Sequence, residues 1–100
     1  MTLDEAIHQA QRLRIMATLF AYRQLTYGEL RRSLDLSDGN LATHAARLVS
    51  AGYVTEGRVL AGTRFEKRFR ITPEGAAAFR AYAVAMKQML AGADARDPDN

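Results

Sequence analysis

The segment from Leu36 to Val54 constrains the fold of this chain more than any other, because it encodes one short helix together with both of its ends. Ser37 is a favourable N-cap residue, and Asp38 places a carboxylate in the first turn, where the helix dipole stabilises negative charge. Gly52 is typical of a residue that ends a helix. Between them, apolar residues recur at helical spacing, at Leu41, Ala45, Leu48 and Val49. The sequence therefore predicts an amphipathic helix with one buried face and one polar face.

The residues before this segment predict two further helices. Thr2 and Glu5 match the capping-box pattern, so a first helix is expected over residues 3–22, with a break left open at residues 9–11. A brief second helix is expected to begin at Tyr27, after a short link that contains a stub of strand.

The residues after the segment predict a β-hairpin and one long helix. Residues 54–60 and 64–71 alternate in polarity, and Gly62 lies in the loop between them. A threonine followed by proline and glutamate then favours a helix start. We expect this last helix to cover residues 73–90, and the small polar tail, residues 91–100, to be disordered.

The size and composition of the chain limit the classes of protein to which it can belong. Its 100 residues suffice for one domain. The order of its elements predicts a mainly α fold with a small β-hairpin wing, the winged helix-turn-helix, over residues 1–90. The absence of cysteine excludes disulfides, thiolate zinc sites and cysteine nucleophiles. His8 and His44, the only histidines, make a poor metal site, so neither a metal nor a cofactor is predicted.

Other classes are disfavoured by what the sequence lacks. No nucleophile with a base, no paired carboxylates and no glycine-rich phosphate loop can be recognised, so an enzyme is not expected. The N-terminal residues do not resemble a signal peptide, and no apolar segment approaches the ~18 residues of a membrane span. We therefore expect a cytoplasmic protein without a membrane partner.

The predicted hairpin is strongly basic. Between residues 58 and 70, five cationic side chains accompany a single acid, Glu66, which gives a net charge of +4. Such side chains can neutralise phosphates, and the release of counterions then favours binding. For a basic hairpin considered alone, a solvated polar face is an equally good interpretation, whereas a preceding helix-turn-helix favours DNA. The cations are Arg58, Arg64, Lys67, Arg68 and Arg70.

The polar face of the capped helix carries side chains that can contact base edges in a DNA major groove. Gly39 either permits close approach of the backbone to DNA or is merely tolerated in a first turn. His44 fits an ordinary position at the edge of the core at least as well as a DNA contact. One of Arg31 and Arg32 is expected to bind a phosphate. The predicted DNA-binding residues are Arg31, Ser37, Gly39, Asn40, Thr43, His44, Arg47, Arg58, Arg64, Lys67 and Arg68.

The capped helix also carries a signature that resembles a known family. Along the chain it consists of Leu36, Ser37, Asp38, Gly39, Asn40, Leu41 and His44, then Leu48, Ala51, Gly52, Tyr53 and Val54. This pattern is similar to that of small bacterial winged-helix transcriptional regulators related to the MarR-like and ArsR-like groups, and the likeness extends over about residues 7–90. The resemblance implies sequence-specific DNA binding by a homodimer, with the third helix in the major groove and the wing on the backbone or minor groove.

The chain departs from that family at three points. The family commonly has a proline after the first histidine, whereas Gln9 and Ala10 favour a more continuous first helix here. The wing arginine, Arg64, is displaced by one position, which leaves the minor-groove contact open. Ala45 replaces a usual leucine, so the apolar seam of the third helix is thinner.

The last helix has two apolar rows at helical spacing, which begin at Ala76 and Ala78. One row can pack on its own domain, whereas the other needs cover, which a symmetric partner is expected to supply. The alternative is a helix buried wholly within one chain. The predicted dimer-interface residues are Ile7, Phe79, Tyr82, Ala83, Met86, Met89 and Leu90.

Two functions follow from these observations. The first is a homodimeric transcriptional regulator that binds double-stranded DNA in a sequence-specific way. The alternative is a winged-helix module used only for contacts with other proteins, which would not need so basic a hairpin. The sequence leaves open whether a small-molecule effector exists.

Overall fold

A computed structural model of the protein describes residues 3–95 and contains four helices and three strands within that range. In chain order these are α1 (Ala10–Tyr22), β1 (Gln24–Thr26), α2 (Tyr27–Leu34), α3 (Asp38–Ser50), β2 (Val54–Ala61), β3 (Arg64–Ile71) and α4 (Pro73–Ala95). The predicted winged helix-turn-helix is confirmed, with the strand stub β1 added to the hairpin.

The three strands form one antiparallel sheet in the order β1-β3-β2. Because β2 and β3 pair without interruption, from Val54 opposite Ile71 to Ala61 opposite Arg64, only two residues are left for the turn. Gly62 is the first of them and has a φ of +65°. A glycine with positive φ at this position is the requirement of a type II′ turn, which matches the twist of the two strands.

The core lies between one face of this sheet and the helices, and it includes Ile7 from the segment before α1 and Tyr82 from α4. Phe69 on β3 is 1% exposed and lies opposite Leu25 in β1, while α3 turns its apolar seam inward. Val49 is an exception to the predicted seam, since 38% of its surface is exposed. The fully buried large side chains are Ile7, Ile15, Met16, Leu19, Leu30, Leu41, Leu48, Val54 and Phe69.

The first helix begins later than the sequence predicts. Gln9 is extended (φ −149°) and caps α1, with its side-chain oxygen 2.9 Å from the backbone nitrogen of Arg12. The break left open in the first helix therefore exists, and the continuous helix suggested by the missing proline is wrong. Thr2 lies outside the described residues, so the capping box predicted with Glu5 is not described.

The segment before α1 packs on the core instead of extending the helix. Ile7 is fully buried, Tyr53 donates a hydrogen bond to Asp4, and His8 Nδ1 lies 2.8 Å from the hydroxyl of Tyr82. Tyr82 itself is 5% exposed. Ile7 and Tyr82, two of the residues predicted for the dimer interface, are thus already buried within one chain and leave little surface for a partner.

The last helix is longer than predicted. It continues five residues past position 90 to Ala95, so the first half of the predicted tail is helical, while residues 96–100 lie outside the described range. Alanines dominate the helix and favour this continuation. Within residues 3–95, α4 and the other helices are too short or too polar to cross a membrane.

Candidate nucleic-acid interface

Helix α3 presents its polar side because its apolar side is anchored in the core. The hydroxyl of Ser37 accepts a hydrogen bond from the backbone nitrogen of Asn40 (3.2 Å), which confirms the predicted N-cap. Asn40, Thr43 and Arg47 are all exposed and follow one another at steps of three and four residues. They therefore form a single outward row along the helix. We call this row the α3 polar stripe.

Helix α2 holds the start of α3 in place. The Tyr27 hydroxyl donates to the backbone oxygen of Asp38 (2.8 Å), and Arg31 Nε lies 3.3 Å from the Asp38 carboxylate. Burial and the charge of Asp38 raise the pKa of Tyr27, partly offset by Arg31, so the phenol remains a donor at neutral pH. Of the two candidate arginines on α2, Arg31 thus lies next to the first turn of α3.

Tyr27 belongs to this site, although its contact with α3 was not predicted from the sequence. The signal that could have revealed it is the capping box of α2, in which Thr26 and Glu29 each bond the backbone of the other. That box fixes Tyr27 as the first residue of the helix, on the side that approaches α3. The bond of Glu29 to the Thr26 backbone lowers the pKa of its carboxyl group.

Two other predicted residues have different surroundings. His44 is half-buried, and its Nδ1 is enclosed without a hydrogen-bond partner among residues 3–95, so it does not lie on the exposed row. Gly39 is exposed, and a Cβ placed there would meet no atom within 4 Å. Packing within the chain therefore does not require a glycine at position 39.

The cations of the wing are divided between the two faces of the hairpin. Side chains alternate along a strand, so Phe69, Lys67 and Phe65 lie on the face that packs on the helices, which we call the inner face. Arg58 is directly opposite Lys67 and shares that face. Lys67 Nζ lies 5.6 Å from the centre of the Tyr27 ring. Because the Tyr27 hydroxyl bonds Asp38, the inner face adjoins the N-terminal end of α3.

The outer face carries the remaining arginines of the hairpin. The guanidinium of Arg68 lies across Gly57, where a Cβ would stand 2.0 Å from Nη2, and its Nη1 is enclosed with no partner among the described residues. Arg70 donates to the side chain of Gln24 at 2.8 and 3.1 Å. The structure thus brings Arg58 and Lys67 to the side of α3, leaves Arg64 exposed at the tip, and turns Arg68 away.

The predicted interface residues of α4 that are not in the core fall into two groups. Phe79 and Met86 are half-buried, and the Phe79 ring packs on Phe20 of α1 with ring centres 4.9 Å apart. Ala83, Met89 and Leu90 are exposed, with Met89 at 47% and Leu90 at 61%. The second group belongs to the apolar surface of the helix that the described residues do not cover, and Val84, 56% exposed, is a further exposed apolar residue of α4.

The chain is similar to known proteins in both sequence and structure. Residues 11–90 match the family model described as "winged helix DNA-binding domain". An uncharacterized protein of Methanocaldococcus jannaschii is 30% identical over 78 residues, which cover 78% of this chain and 85% of that protein. The structure of a transcriptional regulator homologue from Pyrococcus horikoshii OT3 superimposes with a TM-score of 0.85 at 27% identity, over 91% of this chain and 90% of the other.

A more distant similarity concerns AbfR of Staphylococcus epidermidis, whose crystal structure matches 77% of this chain with a TM-score of 0.69 and 26% identity. The match spans 52% of that protein. AbfR has also been solved bound to DNA, in a form that is 25% identical to this chain with a TM-score of 0.63.

Proposed function

The chain belongs to the winged helix DNA-binding domain family, and on that premise we propose that it is a sequence-specific transcriptional regulator that binds DNA as a homodimer. In this proposal α3 enters the major groove, and the wing contacts the backbone or the minor groove. Its similarity to a transcriptional regulator homologue and to the DNA-bound AbfR supports the proposal.

The observation that carries the proposal is the continuity between the α3 polar stripe and the basic inner face of the wing. Tyr27 links the two, because its hydroxyl bonds the first residue of α3 while its ring lies against Lys67. A duplex that receives α3 in its major groove would therefore also meet the wing. The neutral side chains of Asn40 and Thr43 on the helix and the cations on the hairpin correspond to the division between base contacts and phosphate contacts.

The residues have distinct roles in this arrangement. Asn40 and Thr43 contact base edges, with Arg47 reaching a base or phosphate further along the groove. Arg58 and Lys67 on the inner face and Arg64 at the tip bind phosphates. Ser37, Gly39 and Arg31 bring the first turn of α3 close to the backbone.

The proposed dimer rests on α4. With about 3.6 residues per turn, Met89 and Leu90 lie on the same side of the helix as Phe79, Tyr82 and Met86, which pack on the chain's own core. The apolar face of α4 thus continues past Met86, the last of its residues that packs on the core. Met89 and Leu90, further along the same face, are exposed. In our proposal a second copy of the chain covers this surface. In a dimer with two-fold symmetry the same apolar face of each copy contacts that of the other, so one interface buries both.

The proposal can be tested by selecting genomic fragments with the purified protein at near-physiological salt and measuring the affinity of the selected duplex. Asn40→Ala and Thr43→Ala should each weaken binding to the selected site by about 1 to 3 kcal/mol and leave binding to random DNA nearly unchanged. Arg58→Gln should weaken both. Absence of any enriched sequence would refute sequence-specific regulation, and absence of all duplex binding would favour a module for protein contacts.

A further inference from the structure

The tip of the wing exposes two large apolar side chains. Leu60 and Phe65 are directly opposite each other in the β2–β3 register, and 63% of each residue is exposed. Both lie on the inner face, at the end of the hairpin that projects beyond the core. The guanidinium carbon of Arg58 lies 5.2 Å from the centre of the Phe65 ring, so a cation covers part of that ring. Exposed apolar side chains that adjoin one another and are rimmed by charged residues mark binding surfaces more often than scattered ones do.

The surroundings of this pair indicate the chemistry of its partner. Arg58 and Lys67 lie directly opposite each other one step toward the core, and Arg64 adjoins Phe65 at the turn. Like charges in directly opposed positions destabilise a hairpin unless an anion lies between or above them. Glu56 forms an ion pair with Lys67, its carboxylate lying 3.8 Å from Nζ, and both side chains are half exposed. An apolar centre with a cationic rim complements a DNA groove, which has phosphate walls and a less polar floor of sugars and base edges.

We propose that Leu60 and Phe65 form an apolar wedge that opens the minor groove beside the sequence contacted by α3, so that this protein selects DNA that widens easily there. The inference rests on the proposed function. Two paired strands are about 4.8 Å apart before side chains are added, whereas the minor groove is only about 6 Å wide. The hairpin therefore enters only if the groove widens. Apolar side chains pressed between base steps produce such widening.

This geometry makes the flanking DNA a determinant of specificity. Pyrimidine–purine steps such as TA unstack easily, whereas A-tracts are stiff and have a narrow groove. The protein should thus bind with different affinities to two duplexes that share the sequence contacted by α3 and differ only in the flanking base pairs contacted by the wing. Selection of this kind requires no hydrogen bond to a base from the wing.

The experiment compares the selected site with TA-step flanks and with A-tract flanks, using the full chain and fluorescence anisotropy for affinity. A wedge between base steps also kinks the duplex, and end-to-end energy transfer on the same duplexes measures the bend that wild type should produce. Wild type should prefer the TA flanks about tenfold, and Phe65→Ala or Leu60→Ala should reduce the preference to about one. Phe65→Leu should retain it, because the apolar bulk remains. Val59→Ala is the matched control, since Val59 lies on the outer face of the same hairpin.

The outcomes separate this inference from the proposed function. The wedge is refuted if wild type binds the selected site but shows no flank preference. It is also refuted if Phe65→Ala keeps both the flank preference and the bend. In either case the proposed function as a DNA-binding regulator is not affected. A loss of affinity by Phe65→Ala that is equal on both flanks also refutes the wedge. If wild type binds no duplex, the proposed function fails first. Circular dichroism of the variants confirms that each is folded, since both truncated side chains are exposed.

Discussion

At the scale of single residues, the hydrogen bond from Tyr53 to Asp4 gives the protein a pH-dependent contribution to stability. The bond ties the segment before α1 to the strand start after α3. This hydrogen bond, burial and the charge of Asp4 raise the pKa of Tyr53 above its ordinary value of 10.0. The folded protein therefore holds this proton more tightly than the unfolded chain does, so the stabilisation is complete below about pH 10 and is lost as the pH rises further.

We expect Tyr53→Phe to lower the free energy of unfolding by about 1 kcal/mol at neutral pH. Because the variant has no phenol to ionise, the gap between it and wild type should narrow above about pH 10. Urea unfolding followed at several pH values measures this gap. Tyr22→Phe is the control, because Tyr22 is 67% exposed and should show no such pH-dependent gap. A gap that stays constant to high pH would contradict the assignment.

At the scale of elements, the contact between α4 and the end of α3 requires a glycine. Thr72 caps α4 by accepting from the backbone nitrogen of Gly75 (2.9 Å) and also donates to the carbonyl of Gly52 (2.7 Å). This arrangement presses the first turn of α4 onto the backbone of Tyr53. A Cβ at position 75 would lie 2.2 Å from the Tyr53 carbonyl oxygen, closer than any real contact.

Gly75→Ala should therefore destabilise the domain by about 1 to 3 kcal/mol, because backbone must move to admit the methyl group. Thermal unfolding should show a decrease in Tm of roughly 4 to 8 °C per kcal/mol. The control is Gly92→Ala in the same helix, where the added methyl meets no atom within 4 Å. Since alanine favours helix, that change should leave Tm the same or raise it. Equal changes in Tm for Gly75→Ala and Gly92→Ala would contradict the close contact between position 75 and the Tyr53 backbone.

At the scale of the whole molecule, the basic wing predicts strong salt dependence of DNA binding. Two wings in a dimer imply on the order of 6 to 10 phosphate contacts, so affinity should fall by roughly 10³ to 10⁵ between 50 and 200 mM salt. Replacing Arg58 and Lys67 together by Gln should reduce the slope of log affinity against log salt, because phosphate contacts are lost from both copies. Asn40→Ala should leave the slope unchanged. Anisotropy titrations over a salt series measure both, and a salt-independent affinity would exclude phosphate contacts as its source.

Assembly is also a property of the whole molecule. Ala83→Glu and Leu90→Glu each place a charge on the exposed apolar surface of α4, where burial of an unpaired carboxylate would cost several kcal/mol. Both variants should be monomeric by light scattering and should lose most of their affinity for a palindromic site, because two half-sites about 34 Å apart need two linked α3 helices. Gln88→Glu, on the opposite side of the helix, should remain dimeric. Monomeric wild type at micromolar concentration would refute the interface.

The local chemistry of the sequence determined the order of the elements and the exposed row on α3, but not where α1 begins or where α4 ends. Caps and periodicity were sufficient to place α3, because Ser37 and Asp38 act within one turn and the apolar seam depends only on helical spacing. The hairpin and its turn followed for the same reason, since Gly62 meets a purely local backbone requirement. Helical spacing likewise put Asn40, Thr43 and Arg47 on one row.

Only the tertiary structure decided which surfaces each element shares, because those contacts join residues far apart in the chain. Ile7 and Tyr82 are apolar enough for an interface, yet the turn before α1 buries them together in one core. The alternation of β3 turns Arg68 over Gly57 and Lys67 toward Tyr27, which separates cations that are adjacent in sequence. Periodicity gives the spacing of side chains along an element, whereas packing against the rest of the chain decides which face meets the core and which remains free to bind.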